Sequence, residues 1–313
     1  MLALAIAATV HISVLGSLHP VEFELQPVKG IPLIVETQGR TDLLEGARTI
    51  SLTGPARVAG RNGTMVRFRL SVPGGEPHEY LGKLEVRRLG YRLQAIVEMD
   101  RETAVESIVD AEGAEGLPFE ARKAQAVVTR SYLAGARNRH EGFDFCDTEH
   151  CQLLKDPPPA NSAASRAAAL TRGQVLVYKG EVVPAMYSAN CGGHTKSLAQ
   201  SGWTGAAIPQ PGYPYFSVTC PLRGHASGHG VGLCQMGAIT IAEHGYSARI
   251  ILGHYFPGTA VETLPIANPK AAAPAAVRPA PSKITTVPGP KVSALSYSLA
   301  GVVIGGTGAR AEP

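Results

Sequence analysis

The chain has 313 residues, 44% of them hydrophobic, which is enough to bury a full core and excludes disorder as its default state. Its formal net charge of +4 is mild, and Lys270, Arg278, Lys283, Lys291 and Arg310 against Glu312 put the whole excess after Ala267. A neutral body with one Trp, and no run of Lys and Arg interleaved with aromatics, lacks the electrostatic footprint of a nucleic-acid binder, so no nucleic-acid partner is expected.

Residues 1–18 form an apolar stretch with small residues near its end and no positively charged start. It is long enough for a signal-peptide core and marginal for a membrane span, which leaves three readings: a truncated leader, an uncleaved anchor, or a first buried strand. Export to the cell envelope is the expectation carried forward, with 1–20 as a signal-like or anchor segment.

From 21 to 99 the sequence reads as short strands separated by turn residues, for example 49–52, 65–72 and 81–88. Between 118 and 139 the period changes. Ala121, Ala124, Val128, Tyr132 and Ala136 recur at three- and four-residue steps, with Pro118 suited to a first helical position and Glu120 to the first turn. A second helix is predicted through 163–170, capped by Asn161 and stopped at Gly173. A hairpin follows, its strands 175–178 and 182–187 flanking Lys179-Gly180, with Pro184 confining the second strand to an edge or bulge. The Gly-rich run 191–194 is then a loop. After Pro265 the composition shifts to Ala, Pro and Ser, so 267–313 is expected to be a flexible tail. Its apolar run 295–304 is too short to cross a bilayer as a helix.

Several groups could carry chemistry. Glu106, Glu112, Glu115 and Glu120 cluster near the start of the long helix, where pattern alone does not choose among them. His140, Cys146, His150 and Cys151 fall within twelve positions, a spacing compatible with a small tetrahedral zinc site or, in an oxidising compartment, with a Cys146–Cys151 disulfide. Tyr187, Ser188, Gly192, Gly193 and Thr195 place hydroxyls and flexible backbone on one loop, which reads equally as a tight turn. His229 and Gln235 sit among glycines without the strand, helix and Gly-Lys pattern of a phosphate loop. Cys191 and Cys220 could pair, leaving Cys234 as an odd thiol or a small apolar residue. A thiolate at Cys146, Cys151 or Cys234 beside a histidine would also be a competent nucleophile.

The run PFEARKAQAVVTRSY at 118–132 resembles the central motif of the sporulation stage II protein D family, peptidoglycan lytic transglycosylases and related amidase enhancers. Further blocks agree in order and spacing: FCDTEHCQ at 145–152, TRGQVL at 171–176, YSANCGGHT at 187–195, GHGVGLCQMGA at 228–238 and HYFPGT at 254–259. The resemblance spans roughly 84–259. In the family the catalytic glutamate lies eleven residues before the helix lysine, and counting back from Lys123 reaches Glu112, here followed by Gly113 and Ala114 where the family usually has Met and Pro.

The resemblance implies an α+β fold, with a β-rich amino-terminal part and a mixed α/β catalytic core at 100–266 carrying an open glycan groove. It implies that Glu112 acts as the single acid/base and that Lys123, Gln125, Arg130, Tyr187, Ser188, Gly192, Gly193, His229 and Gln235 line the substrate site. Zinc at His140, Cys146, His150 and Cys151 would be structural, and no organic cofactor is expected. The implied partners are peptidoglycan glycan strands, cleaved to 1,6-anhydro-muramyl ends, and a cell-wall amidase. The alternative is a non-catalytic glycan-binding amidase enhancer.

Overall fold

The structure is a computed structural model that describes residues 8–113, 116–201 and 212–264. Ala114, Glu115 and the tail expected over 267–313 lie outside the described residues. The described residues belong to one compact unit.

The amino-terminal part is a ten-stranded, curled sheet assembled from β1 (Thr9–Val14), β2 (Phe23–Pro27), β3 (Leu33–Thr37), β4 (Arg40–Leu44), β5 (Ile50–Leu52), β6 (Ala56–Ala59), β7 (Val66–Ser71), β8 (His78–Leu89), β9 (Arg92–Asp100) and β10 (Phe145–Cys146). The order along its main path is β10-β1-β9-β8-β6-β3-β4, with β2, β5 and β7 attached through β8. Alternation along β8 explains its placement. Tyr80, Leu84 and Val86 point into the core while the residues between them stay partly exposed, the period of a strand with one buried face. The same strand pairs with β7 through its first half and with β6 through its second, so it carries the curl.

Of the segment 1–20, residues 9–14 form the first strand. β1 is an internal strand, antiparallel to β9 from Thr9↔Asp100 to Val14↔Ala95 and parallel to β10 through Ile12↔Phe145 and Ser13↔Cys146. Val10, Ile12 and Val14 are essentially inaccessible to solvent. Removing 9–14 would open the sheet and strip β10 of its partner, so this apolar run is core. Among the described residues no helix is long and apolar enough to cross a membrane.

β9 runs directly into α1 (Arg101–Glu112), whose N-cap, Asp100, accepts the amides of Glu102 and Thr103. Then comes α2 (Phe119–Gly135), the central helix, packed against α1 and against α3 (Ala163–Leu170). The long helix starts one residue later than expected, with Pro118 as its N-cap, and stops four residues earlier, at Gly135. Gly135 lies against the Pro184 backbone, where a Cβ would stand 2.7 Å from the Pro184 nitrogen. The cap of α3 is Ser162, accepting from the Ser165 amide, in place of the expected Asn161.

The hairpin forms from β11 (Gln174–Tyr178) and β12 (Glu181–Val182) with positive φ at both Lys179 and Gly180, as its two-residue turn requires. Its second strand is shorter than expected: the chain leaves at Pro184 and continues as β13 (Tyr187–Ser188). After α4 (Leu198–Ser201), β13 is joined in parallel by β14 (Leu233–Cys234), pairing Tyr187↔Leu233 and Ser188↔Cys234. Gly232 permits that approach, since a Cβ there would stand 2.0 Å from the Met186 carbonyl oxygen. The helices α5 (Gln235–Glu243) and α6 (Ala248–Tyr255) pack on α2, and β15 (Ala260–Thr263) closes the far edge of β11.

Candidate active site

Of the four clustered glutamates, three have their neighbours described. Glu106 accepts the Ser165 hydroxyl at 2.9 Å, and Glu120 accepts the Ala248 amide at 2.7 Å while pairing with Lys123 at 2.7 Å; both tie helices together. Glu115 lies outside the described residues.

Glu112 is different. It is the last residue of α1, not part of a loop at a helix start, and so sits at the negative end of the helix dipole, which disfavours its charge. Its Oε1 accepts the Leu153 amide at 3.0 Å and the Tyr187 hydroxyl at 3.1 Å, and its Oε2 accepts Gln235 Nε2 at 3.3 Å. Burial raises its pKa above the ordinary carboxylate value, and nearby Glu149 adds to this, against the opposing pull of the three neutral donors. The resulting group is a carboxyl poised to hold a proton, gripped by donors from three segments distant in sequence.

Gly113 departs from the family motif for a visible reason. A Cβ at this position would stand 2.6 Å from Arg122 Nη1 and 2.8 Å from the Val109 carbonyl oxygen. The Arg122 side chain takes the space a larger residue would need.

Behind Glu112 a chain of polar groups runs into α2. Gln125 Nε2 donates to Thr129 Oγ1 at 3.3 Å, and Thr129 hydrogen-bonds the Tyr187 hydroxyl that in turn donates to Glu112. His229 supports the same tyrosine through a hydrogen bond to its backbone, while His229 Nδ1 accepts the Val231 amide at 3.0 Å. Burial holds the His229 pKa down to about 4, helped by Arg139 and Lys196, so this imidazole is neutral at physiological pH. Gln125, Tyr187, His229 and Gln235, chosen from sequence, therefore converge on Glu112.

Other predicted residues do not join them. Arg130 is wholly buried: Nε and Nη2 grip Glu102 at 2.8 Å each, and the remaining donors reach the Ala126, Ala168 and Gln174 carbonyls. Its fork is occupied by protein partners. Lys123 lies over the Phe119 ring, paired to Glu120. Ser188 is buried, and its hydroxyl has no hydrogen-bond partner. Gly192 and Gly193 follow Cys191 with positive φ and lie against Ala226 and Arg223.

The contributors that sequence reasoning missed are Leu153, Thr129 and Glu149. Leu153 acts through its main-chain amide, which every non-proline residue has, so residue type could not reveal it.

His140, Cys146, His150 and Cys151 come together, their ligating atoms all within 4.8 Å of one another. His140 Nε2 lies 3.2 Å from Cys151 Sγ, and His150 Nδ1 lies 3.7 and 3.6 Å from Cys146 and Cys151 Sγ. A tetrahedral zinc ion has edges of about 3.5–3.8 Å between such ligands, so the four residues fit it. Both thiols are free rather than paired as a disulfide. The sheet supplies the footing: Cys146 is in β10 beside β1, and Asp144 just before it accepts the His11 amide at 2.9 Å and Arg137 Nη2 at 3.1 Å. Burial would raise the Asp144 pKa, but its bonds to His11, Arg137 and Asn138 outweigh that and hold it well below the carboxylate range. The loop that ends with this cluster presents Leu153 to Glu112 two residues later. A surface concavity lined by Ile34, Arg57, Lys83 and Glu98 on the curled sheet does not include Glu112.

Comparison with known proteins finds similarity over part of the chain. A protein of Brachyspira hyodysenteriae, itself described as uncharacterized, is 33% identical over 137 residues, covering 43% of this chain and 37% of its own length. The chain thus spans less than two fifths of that relative. Residues 90–178 match the family model described as Stage II sporulation protein, SpoIID. This stretch, which is similar to the SpoIID family, holds Glu112, α2 and the His–Cys cluster.

Proposed function

We propose that the chain is a peptidoglycan lytic transglycosylase acting through Glu112 alone. The observation that carries this reading is a carboxyl with raised pKa, at a helix C-terminus, held among the described residues by three neutral donors and by no cation. A hydrolase of ordinary type needs a second carboxylate to activate water or attack the sugar. No second acid reaches Glu112 in hydrogen-bonding geometry among the described residues.

In this reading the protonated Glu112 gives its proton to the glycosidic oxygen between MurNAc and GlcNAc as the C1–O bond breaks. The carboxylate left behind then takes the proton of the MurNAc 6-hydroxyl as that oxygen closes on C1. The products are a 1,6-anhydro-muramyl end and a free GlcNAc 4-hydroxyl, and Glu112 is again protonated. Leu153, Tyr187 and Gln235 fix the carboxyl and stabilise its charged form between the two transfers. Glycan strands would lie in an open groove passing Glu112, and such a substrate places the protein outside the cytoplasm.

The same reading gives zinc a structural role at His140, Cys146, His150 and Cys151. A bound ion there would supply a fixed cross-link, holding the loop whose end carries the Leu153 amide.

The test is the mass of products released from denuded peptidoglycan. Anhydro-muramyl ends support transglycosylation, and reducing ends overturn it in favour of hydrolysis. If nothing is released while the sacculus is still bound, the chain is a non-catalytic binder of the amidase-enhancer kind. Unchanged release by Glu112→Gln would remove Glu112 from the role.

A further inference from the structure

Cys191, Cys220 and Cys234 bring their sulfurs within 4.8 Å of one another. All three are buried, at 5%, 3% and 0% exposure, and none is in a disulfide. Two of them could have been a redox pair, but the third makes that an incomplete description. A disulfide between any two would strand a buried thiol against it.

The surroundings are arranged for sulfur as an acceptor. Cys191 receives the amide of Gly193 and Cys220 that of Leu222, in each case from two residues further on. Cys234 receives two, from Cys191 at 3.3 Å and Gly237 at 3.4 Å, the second placing it as the N-cap of α5. A neutral thiol gains little from such donors, whereas a thiolate gains a charge-assisted bond. The two short turns are also tied to each other, because the Cys220 amide donates to the Gly193 carbonyl at 2.8 Å. Three thiolates in an apolar interior repel each other unless a cation lies between them.

We propose that Cys191, Cys220 and Cys234 form a second metal site, taking a soft divalent cation of the zinc type through three thiolates. Loading releases one proton from each thiol to solvent, with no change of oxidation state. A sulfur-to-metal distance of about 2.3 Å requires sulfurs about 3.8 Å apart, within the spacing observed. The Tyr255 hydroxyl, 3.3 Å from Cys220 Sγ and itself buried, is the nearest oxygen for the remaining position. Gly237 keeps the space open, since a Cβ there would stand 2.4 Å from Cys220 Sγ and 2.1 Å from the Tyr255 oxygen.

The site has a clear structural consequence. Cys234 pairs with Ser188 in the β13–β14 ladder and directly precedes Gln235, while Tyr187 is the neighbouring ladder residue. A bound ion would pin the two strands that carry the Tyr187 and Gln235 donors to Glu112. The proposal itself does not depend on glycan cleavage.

The experiment loads the reduced chain with zinc(II), removes the excess and measures zinc per chain by mass spectrometry. A Cys146→Ser/Cys151→Ser variant, disabled at the first cluster, should retain one zinc. Adding Cys220→Ser should abolish it. Should the variants fail to fold, the wild-type chain decides: loaded with cadmium-113, it should give a resonance in the three-sulfur range, separate from any two-sulfur, two-nitrogen resonance. Absence of that signal overturns the proposal, as does a folded Cys146→Ser/Cys151→Ser chain without zinc. A mass deficit of about two protons, mapped to a disulfide among the three cysteines that persists in the presence of zinc, overturns it as well.

Discussion

The two ends of α1 each bury a glutamate, and they do it in opposite ways. At the first turn, Glu102 lies at the favourable end of the helix dipole and both its oxygens are gripped by Arg130. At the last turn, Glu112 lies at the unfavourable end and meets only an amide, a phenol and a carboxamide. The first arrangement fixes a charge and, through Arg130, binds α1, α2, α3 and β11 together. The second leaves a proton easy to hold and easy to give. One helix thus carries a charge-paired acid at one end and the candidate acid at the other, set apart by the sign of its dipole and by their partners among the described residues.

The sharpest way to break this contrast is Glu112→Gln, which keeps the shape and removes the acid. Release of anhydro-muramyl products should fall by about a thousandfold or more, while binding to sacculi is retained in a pull-down. Its stability should change with the opposite sign. Because burial raises the folded pKa of Glu112, the native state holds a proton that the unfolded chain has lost, so stability declines as pH rises from the ordinary carboxylate pKa through the folded one. The Gln variant lacks this decline, so its Tm should exceed that of the wild type at neutral pH and approach it under acid conditions.

At the other end, Arg130→Met leaves Glu102 buried with no cation. Its cost should be about 3–5 kcal/mol in denaturant unfolding, since breaking one side of a buried pair strands a charge. Replacing both partners, Glu102→Gln with Arg130→Met, should recover much of that loss. An equal cost for the single and double variants would show that the pair is not the source.

Tyr187→Phe and Gln235→Leu tune the comparison instead of breaking it. Each removes a donor that favours the carboxylate, so the Glu112 pKa should move further up. The basic limb of the pH–rate profile should shift to higher pH, and the rate should fall by about tenfold for the loss of one hydrogen bond. A limb that stays in place would mean that another group sets it.

Lys123→Ala should have the smallest effect. Its ion pair with Glu120 is partly exposed, worth about 0.5 kcal/mol at most. A Tm almost unchanged together with a raised KM would show that the lysine meets substrate. Both quantities unchanged would confine it to the helix surface.

Much of this was legible in one dimension because it rests on local rules. The α2 period, the Lys179-Gly180 turn and the β alternation of 21–99 are short-range patterns, and the structure contains each of them with ends moved by a few residues. The apolar run at 9–14 was left open between a leader, an anchor and a buried strand, since hydrophobicity by itself does not distinguish them; only the fold shows its pairing with β9 and β10. The partner of Arg130 was hidden for a related reason: Glu102 lies 28 positions away.

The sequence by itself determined the α+β class and the family resemblance and, by register against Lys123, put Glu112 forward as the candidate acid. The tertiary structure decided what surrounds that glutamate. Its donors come from residues 41, 75 and 123 positions away, and its burial and place at the end of α1 follow only once β9, α1 and the β13–β14 ladder are in position. Local propensity acts over one or two turns of chain, whereas desolvation and hydrogen-bond geometry are sums over whatever the fold brings near.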